Sequence, residues 1–342
     1  MPEKREERAG QRKLRVRPTP KGRVAEPQAV AEVRQAIDEL PRRADLLIEA
    51  LHRIQDAFGA LADRHLVALA HELRLTPAEV YEVATFYHHF DIVRAGDPPP
   101  APLTVRVCDS IACELAGSAR LLESLASTLG RSLRVIPTPC VGRCDKAPVA
   151  VVGRRPVDRA TAEAVEEAVL AGRTEPAPPA AIDYRTYRDH GGYRLLAEWH
   201  DEGRDVEELI AAIEASGLRG LGGAGFPTAR KWRFVRAAPK PRVVVLNADE
   251  GEPGTFKDRH CLETDPHRVL EGLLLAARIV EAEEVYIYLR DEYPAIRALI
   301  ERELAALAAD PPCPIPTIHL RRGAGAYVCG EETALLESIE GR

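Results

Sequence analysis

Four cysteines are arranged in two closely spaced pairs, and each pair follows a predicted strand. Cys108 and Cys113 are separated by four residues, and Cys140 and Cys144 by three. Thiolates from two neighbouring parallel strands converge at one edge of a sheet, where four of them can hold a 2Fe–2S cluster or a tetrahedral zinc ion. Because structural zinc sites often use shorter loops of two residues, the spacing favours the larger iron–sulfur cluster, with zinc or no metal as alternatives.

A glycine-rich segment later in the chain matches the pattern G-x-G-x-x-G. Its four glycines are Gly220, Gly222, Gly223 and Gly225. The dinucleotide-binding fingerprint requires a strand before the glycines, but here an amphipathic helix is predicted over residues 205–216. This context excludes an ordinary Rossmann loop, although the glycines still allow close approach of an anionic or flat ligand. Lys231 could then meet a phosphate and Phe226 and Phe234 could stack on a ring, whereas a plain surface loop is the alternative.

An acidic segment, NADEGEPG over residues 247–254, follows a strand predicted over residues 242–246. Polar groups beyond the carboxyl ends of strands are where α/β sheets bind ligands. Asp249, Glu250 and Glu252 could hydrogen-bond a ligand or bind a divalent metal ion, and a plain acidic turn is a third interpretation. Because the segment has no histidine close by in sequence, hydrogen bonding to a ligand is favoured.

A second glycine segment, GAGAYVCGEET over residues 323–333, precedes a predicted helix with acidic residues in its first turn. Helix N-termini expose backbone amides and therefore suit a ligand site. Tyr327 is interpreted either as a core residue or as a ring-stacking contact. The histidines of the chain show no ligand spacing and are expected to be structural or surface residues.

The elements that would position these motifs fall into several units. Residues 1–27 hold nine Lys and Arg against four Asp and Glu and are predicted to be a disordered basic tail. Thr76 and Glu79 form a capping-box pattern that marks the start of one helix. A strand–helix–strand pattern over residues 103–136 predicts two parallel strands. The other predicted units are a helical domain over 28–97, an α/β domain over 101–172, a linker over 173–195 and a final α/β domain over 196–342.

Composition and charge exclude several classes of protein. The net charge is −6 and the basic tail concentrates positive charge, so the rest of the chain is still more acidic and argues against a nucleic-acid partner. No apolar run approaches the roughly 20 residues that span a bilayer, so no direct membrane insertion is expected. The first residues lack the apolar core of a secretory signal. Seven cysteines, an odd number, fit a reducing cytoplasmic setting better than a disulfide framework.

The motifs together resemble a known redox family. The cysteine set and the preceding VATFY (83–87) resemble the thioredoxin-like 2Fe–2S subunit of respiratory complex I, an NADH dehydrogenase. The segments that resemble its FMN- and NADH-binding subunit are 217–232, NADEGEPGTFKDR (247–259) and RGAGAYVCGEETALLESIEG (322–341). Fusion of both modules resembles the diaphorase subunits of soluble enzymes. The stretches YEVATFYHHFDIV, TVRVCDSIACELAG and GLRGLGGAGFP most resemble the beta subunit of NAD-dependent formate dehydrogenase.

The resemblance implies an α/β multidomain fold and assigns roles to the matching residues. The fold would comprise an N-terminal helical segment, a thioredoxin-like 2Fe–2S domain and an incomplete FMN/NADH-binding domain that is Rossmann-like without the ordinary fingerprint. The implied metal ligands are Cys108, Cys113, Cys140 and Cys144. The implied contacts to FMN and NAD(H) are Gly220, Gly222, Gly223, Gly225, Phe226, Lys231, Phe234, Asn247, Asp249, Glu250, Glu252, Tyr327, Gly330, Glu331 and Glu332, of which Glu252 and Glu332 would be catalytic.

The implied function is that of an NADH:acceptor oxidoreductase, or diaphorase, which passes electrons between NAD(H), FMN and iron–sulfur clusters. We expect the beta subunit of a soluble formate dehydrogenase whose partner subunit holds molybdenum or tungsten. The alternatives are the NADH-input subunit of complex I or of an NAD-linked hydrogenase. A zinc-binding scaffold or assembly protein without flavin is the alternative from another class.

Two features of the chain depart from the family pattern. Leu221 stands where an arginine is common in complex I, which favours the soluble enzymes. The sequence stops at Arg342, before the region in which the family carries four cysteines for a 4Fe–4S cluster. We therefore expect a C-terminally shortened form, located in the cytoplasm or at the periphery of a membrane complex.

Overall fold

The computed structural model describes residues 23–129 and 133–342. The basic tail predicted for residues 1–27 therefore falls almost wholly outside the described residues. Within the described ranges the chain forms a helical unit, a four-stranded sheet with helices, and a three-stranded sheet with helices. The expected mixed α/β architecture is confirmed.

The helical unit, residues 27–93, contains four helices and a pair of very short parallel strands. These are α1 (Pro27–Ala36), α2 (Leu47–Phe58), β1 (Leu61–Ala62), α3 (Asp63–Leu73), α4 (Pro77–Phe86) and β2 (Ile92–Val93). The predicted capping box is confirmed at the start of α4, since the Thr76 hydroxyl accepts from the Glu79 amide and the Glu79 carboxylate accepts from the Thr76 amide. The aliphatic core of this unit continues onto Tyr288 and Leu335 near the end of the chain. The helical unit is therefore packed against the last unit.

The cysteine unit, residues 104–170, is built on a four-stranded sheet covered by helices. Its elements are β3 (Thr104–Cys108), α5 (Ile111–Leu115), α6 (Ser118–Thr128), β4 (Arg134–Thr138), β5 (Ala150–Val152), β6 (Arg155–Val157) and α7 (Ala162–Leu170). The strands lie in the order β4-β3-β5-β6. β3 and β4 are parallel, as the strand–helix–strand pattern predicts, and β5 is antiparallel to β3. The sequence pattern does not predict β6 or α5, because such short elements carry too little periodicity.

The segment over residues 173–195, predicted as a linker, is only partly extended. Residues 173–183 form neither helix nor strand, but α8 (Tyr184–Asp189) follows them. Tyr184 and Tyr193 are buried in a cluster with Leu274 and Leu307. The second half of the segment is therefore packed against the last unit through its tyrosines.

The C-terminal unit, residues 184–339, surrounds a three-stranded parallel sheet in the order β7-β8-β9. Its remaining elements are α9 (Arg194–Asp201), α10 (Val206–Ala215), α11 (Thr228–Ala237), β7 (Val243–Ala248), α12 (Lys257–Thr264), α13 (Pro266–Val280), β8 (Glu284–Leu289), α14 (Pro294–Ala309), β9 (Thr317–Arg322) and α15 (Glu332–Ile339). Buried aliphatic residues of β8, α13 and α14 form its core. In the described parts of the chain, no helix combines the length and the apolar character needed to cross a bilayer.

The three strands of the C-terminal unit end level with one another. Ala248 at the end of β7 pairs with Leu289 at the end of β8, and Leu289 pairs with Arg322 at the end of β9. The carboxyl ends of parallel strands face one edge of the sheet, where ligands are commonly bound. The acidic segment after β7 and the second glycine segment after β9 therefore begin side by side.

Candidate cofactor-binding site

The acidic segment and the second glycine segment form one surface at the carboxyl edge of the sheet. The Tyr327 hydroxyl donates a hydrogen bond to the Glu252 carboxylate. The Asn247 side-chain amide donates to the Gly330 carbonyl over 2.8 Å. Gly251 lies against the ring of Tyr327, where an added Cβ would be 3.3 Å from the ring. Two motifs about 70 residues apart in sequence thus meet as the level strand ends require.

Asp249 is a buried carboxylate that lies between two glycines of the neighbouring segment. An added Cβ would be 3.4 Å from its Oδ1 at Gly323 and 3.6 Å from its Oδ2 at Gly330. The residue is 5% exposed, and no hydrogen bond from the described residues reaches its carboxylate oxygens. Burial raises the pKa of Asp249 to about 7, although the charge of Arg290 opposes that rise. An unpartnered buried acceptor of this kind is suited to a hydrogen-bond donor on a ligand.

A cavity of about 340 Å³ opens beside Asp249 at the junction of the three units. His88 from the helical unit, Cys140 from the cysteine unit and Tyr327 from the C-terminal unit all line it, together with Arg290. Its volume lies within the range of pockets that bind small molecules. The cavity therefore adjoins both the proposed flavin residues and a proposed metal ligand.

The four cysteines predicted as metal ligands converge at the carboxyl ends of β3 and β4. The sulfurs of Cys140 and Cys144 are 3.4 Å apart. Cys108, Cys113 and Cys140 are buried. A hydrogen bond with Cys113 raises the pKa of the Cys108 thiol to about 11.

The spacing of these sulfurs discriminates between one metal ion and a larger cluster. Across the described residues, no three of the four sulfurs lie within 4.8 Å of one another. A tetrahedral zinc ion with bonds of about 2.3 Å would require all four to be about 3.8 Å apart. The arrangement therefore fits a two-iron cluster better than a single zinc ion.

The loop that carries Cys140 and Cys144 is docked onto the C-terminal unit. The Gly254 amide donates a hydrogen bond to the Cys144 sulfur over 3.2 Å. Buried Arg259 donates to the Gly142 carbonyl over 3.0 Å. Gly142 has a φ of +70°, and a Cβ there would lie 2.1 Å from the Tyr293 hydroxyl. Only glycine therefore permits this close approach.

The first glycine segment lies on an exposed surface after α10, as its sequence context predicts. The Gly220 amide donates to the Phe226 carbonyl over 2.9 Å, and Gly223 and Gly225 have positive φ angles. No described atom lies within 4 Å of a Cβ added at Gly222, Gly223 or Gly225. In the described ranges, no hydrogen bond joins this loop to the acidic or second glycine segment. Its backbone is thus open to a ligand.

The aromatic and basic residues after that loop share its exposed face. Phe226 and Phe234 are 42% and 57% exposed, and their ring centroids are 6.3 Å apart. The guanidinium of Arg230 lies 5.8 Å and 5.3 Å from those rings. Lys231 is exposed in the first turns of α11. These residues are available for stacking and charge contacts.

Glu250, predicted as a cofactor contact, has a carboxylate whose hydrogen-bond partners lie within the protein. Its carboxylate accepts from the amides of Asp258 and Arg259 over 2.7 and 3.0 Å, and from the Tyr293 hydroxyl over 2.9 Å. It therefore caps the start of α12, and its side chain is fully buried there. A φ of +25° at Glu250 turns the chain so that this side chain faces the protein rather than the cavity. Its contacts are those of a structural residue.

The carboxylate of Glu331 also binds within the protein, whereas that of Glu332 is exposed. The Glu331 carboxylate accepts from the amides of Thr333 and Ala334 over 2.9 and 3.0 Å and caps α15. Its hydrogen bond to the Thr333 side chain is the main cause of its lowered pKa. Glu332 is exposed at the first position of the helix. Of the two predicted acids, Glu332 is the one free to meet a ligand.

A partly buried polar group at the interface with the helical unit was not predicted from sequence spacing. His52, His89 and Asp291 place ligand-type atoms within 4.8 Å of one another. His89 is 2.7 Å from one Asp291 oxygen, and Arg322 donates to the other over 2.5 Å. His52 contacts the Gly323 carbonyl over 2.9 Å. Because Arg322 already neutralises Asp291, we interpret this group as a polar contact that docks the helical unit.

Arg290 and Arg259 are the other residues that sequence reasoning missed. Arg290 lies outside the recognised motifs, and Arg259 is the last residue of the segment 247–259 but received no predicted role. Each has a contact that crosses more than 100 residues of sequence. One signal was available for Arg290, since it directly follows the apolar run that forms β8 and ends at Leu289. Polar residues in that position face the ligand edge of a parallel sheet.

Two family models match this chain. The thioredoxin-like [2Fe-2S] ferredoxin model matches residues 33–173. The Nuo51 FMN-binding domain model matches residues 213–342. The resemblance to a thioredoxin-like 2Fe–2S module and to an FMN-binding module is confirmed, and so is the expectation that the chain combines the two.

Known proteins are similar to this chain over part of their length. The alpha subunit of the NAD-reducing hydrogenase HoxS of Cupriavidus necator is 31% identical over 338 residues, covering 86% of this chain and 55% of that protein. The F 2 subunit of the NADH-quinone oxidoreductase of Rhizobium meliloti is 46% identical over 166 residues, covering 46% of this chain and 39% of that protein. The crystal structure of an NAD+-reducing [NiFe]-hydrogenase in the air-oxidized state is 34% identical with a TM-score of 0.72, covering 88% of this chain and 55% of that one. This chain thus spans about half or less of the length of these relatives.

Proposed function

Because this chain joins a thioredoxin-like [2Fe-2S] ferredoxin domain to a Nuo51 FMN-binding domain, we propose that it works as an NADH:acceptor oxidoreductase module. The docking of the Cys140–Cys144 loop against the acidic segment carries this proposal, because it brings proposed cluster ligands next to proposed flavin and nucleotide residues. When bound, FMN exchanges a hydride with NAD(H) and releases electrons singly, and a 2Fe–2S cluster takes up one electron at a time. The protein binds, orients and shields these groups.

The proposed cluster ligands are Cys108, Cys113, Cys140 and Cys144. Buried sulfurs are shielded from water, and amide donors stabilise them when they are deprotonated. The Gly142 amide lies 3.4 Å from the Cys140 sulfur, and the Gly254 amide supplies a second donor to Cys144. The cysteine unit and the C-terminal unit therefore each contribute a donor to this site.

The proposed flavin residues are the glycine loop over 220–226, Lys231, Asn247, Asp249, Tyr327 and Gly330. Asp249 supports this assignment because its buried carboxylate has no protein donor among the described residues and faces the cavity. An open glycine backbone and a nearby lysine suit the phosphate end of the ligand. In this proposal Glu250 and Glu331 hold the loops in place and do not contact the ligand.

The proposed nucleotide residues are Phe226, Phe234, Glu252 and Glu332. The exposed phenylalanine pair offers faces on which a flat ring can stack. Tyr327, which lines the cavity, donates a hydrogen bond to the Glu252 carboxylate. Glu252 and Glu332 are the acids that would orient NAD(H) by accepting its hydrogen bonds.

We further propose a formate dehydrogenase as the complex that contains this module. The motif resemblance to the formate dehydrogenase beta subunit supports it, and Leu221 in place of the arginine common in complex I agrees with a soluble enzyme. An NAD-linked hydrogenase is the second candidate, because the chain is similar to part of such an enzyme. Purification with native partners and NAD+ reduction assays with formate or hydrogen distinguish the two, and activity with hydrogen alone would contradict the first.

The proposed module is tested by anaerobic purification of the chain, followed by its visible spectrum and by assays for iron, zinc and released flavin. We expect two irons per chain, a red-brown band that dithionite bleaches, and flavin that NADH bleaches. Zinc without iron or flavin would overturn the redox proposal and favour a scaffold protein. Iron without flavin would support the cluster assignment and contradict flavin binding by this length of chain.

A further inference from the structure

We infer that Arg290 is the positioning residue that raises the reduction potential of the cysteine site and fixes that site against the flavin site. This inference rests on the proposed function, because it assumes a 2Fe–2S cluster held by the four cysteines. Nothing in the glycine or acidic motifs points to Arg290. Its role follows from where its guanidinium lies.

The Arg290 guanidinium joins two loops from different units. One nitrogen donates to the Cys140 carbonyl over 2.5 Å and another to the Glu250 carbonyl over 2.5 Å. The first carbonyl belongs to a proposed cluster ligand, and the second lies next to Asp249. A planar guanidinium with donors in fixed directions suits such a double contact, whereas lysine offers a single charged point.

The positive charge of Arg290 is buried, where its electrostatic interactions are strong. The residue is 5% exposed, and an arginine stays protonated even when buried. Interactions between charges are several-fold stronger in such surroundings than in water. Because the guanidinium donates to the Cys140 carbonyl, its positive charge lies against the backbone of a proposed cluster ligand.

Reduction of a cluster adds one negative charge, so a fixed cation nearby favours the reduced form. Glu292 partly offsets this effect, because its carboxylate lies 3.2 Å from the Arg290 Nε. Other charged groups around the loop are also paired, including Arg259 with Asp145 and Glu263. Removing Arg290 and removing Glu292 should therefore shift the potential in opposite directions.

The test is a redox titration of the full chain, purified anaerobically and followed by electron paramagnetic resonance of the reduced cluster. We expect Arg290→Gln to disfavour reduction about tenfold, which lowers the midpoint by about 59 mV for a one-electron couple. Glu292→Gln should raise the midpoint, and Arg290→Lys should keep it closer to the native value than Arg290→Gln does. Lys146→Gln is the matched control, because Lys146 is a cation two residues from Cys144 with a side chain 36% exposed. Its removal should change the midpoint much less.

The outcomes separate this inference from the proposed function. A chain without iron contradicts both. A chain with two irons whose Arg290→Gln midpoint moves no further than that of Lys146→Gln overturns the inference alone. An equal drop of the midpoint potential in Arg290→Lys and Arg290→Gln would also overturn the inference, because the charge would then not set the potential. If Arg290→Gln fails to fold, an unchanged or lowered midpoint in Glu292→Gln decides against it.

Discussion

The backbone amide of Gly254 donates a hydrogen bond to the sulfur of Cys144 over 3.2 Å. Gly254 belongs to the loop that carries Glu252, and Cys144 belongs to the cysteine set of another unit. Hydrogen bonds to cluster sulfurs are one of the means by which a protein sets a reduction potential. A proposed nucleotide contact and a proposed cluster ligand are therefore separated by two residues and one hydrogen bond.

The substitution Cys140→Ser should abolish the proposed cluster. Cys140 is buried and lies 3.4 Å from Cys144, so its loss leaves an incomplete ligand set. We expect the visible band and at least half of the bound iron to disappear. Cys261→Ser is the matched control, because Cys261 is exposed on α12 and outside the site. Retention of two irons and the band in Cys140→Ser would contradict the assigned ligands.

The substitution Glu252→Ala should weaken the reaction with NADH. A lost hydrogen bond to a charged group costs about 1.5–3 kcal/mol, and 1.4 kcal/mol is a factor of ten. We expect NADH at low concentration to bleach the bound flavin about tenfold more slowly, with the flavin content unchanged. Glu283→Ala, an exposed acid before β8, should keep the native rate. Equal rates in both variants would remove the role proposed for Glu252.

The substitution Glu250→Ala should destabilise the fold. It removes the acceptor for two backbone amides at the start of α12 and for the buried Tyr293 hydroxyl. We expect the free energy of unfolding to fall by about 2–4 kcal/mol. Glu252→Ala should change it by no more than about 0.5 kcal/mol, because Glu252 is exposed. Urea unfolding of both variants checks this, and equal stability would restore Glu250 to the ligand contacts.

The carboxyl of Asp249 should make stability depend on pH. Its pKa is raised to about 7, so between pH of about 4 and 7 the native state holds a proton that the unfolded chain releases. The free energy of unfolding that it contributes therefore falls as pH rises through this window. The side chain of Asp249→Asn stays neutral at every pH. We therefore expect the free energy of unfolding of this variant, relative to that of the native chain, to rise by about 1–2 kcal/mol from pH 5 to pH 8.

Urea unfolding of flavin-free protein at pH 5 and pH 8 measures that gain. Asp201→Asn serves as the control, because Asp201 is exposed at the end of α9. The difference between native chain and Asp201→Asn should be the same at both pH values. The prediction for Asp249 fails if its variant behaves like this control.

Local patterns made much of the fold predictable from the sequence. The capping box at Thr76 and the parallel pairing of β3 with β4 depend on residues close together in the chain. The position of the acidic segment followed from the strand before it, because strand ends direct the next residues to a known edge. These features need no knowledge of distant contacts.

Distant contacts explain what the sequence did not predict. Glu250 and Glu252 are equivalent in a motif, but a backbone turn at Glu250 sends one side chain into the protein and leaves the other outside. Arg290 contacts the Cys140 carbonyl only in the folded protein, because Cys140 lies 150 residues earlier in the sequence. The packing of Tyr184 and Tyr193 was not predicted for a similar reason, because both contact residues that lie far along the chain.

The short connection over residues 173–183 changes the thermodynamics of docking between the cysteine unit and the C-terminal unit. Two segments joined by a short tether meet at an effective concentration in the millimolar range. The hydrogen bonds of Arg259 and Arg290 with the Cys140–Cys144 loop therefore remain formed even when the protein is diluted to nanomolar concentration. Two separate chains with the same contacts would dissociate on dilution. In this chain the distance between the proposed redox sites is consequently independent of protein concentration.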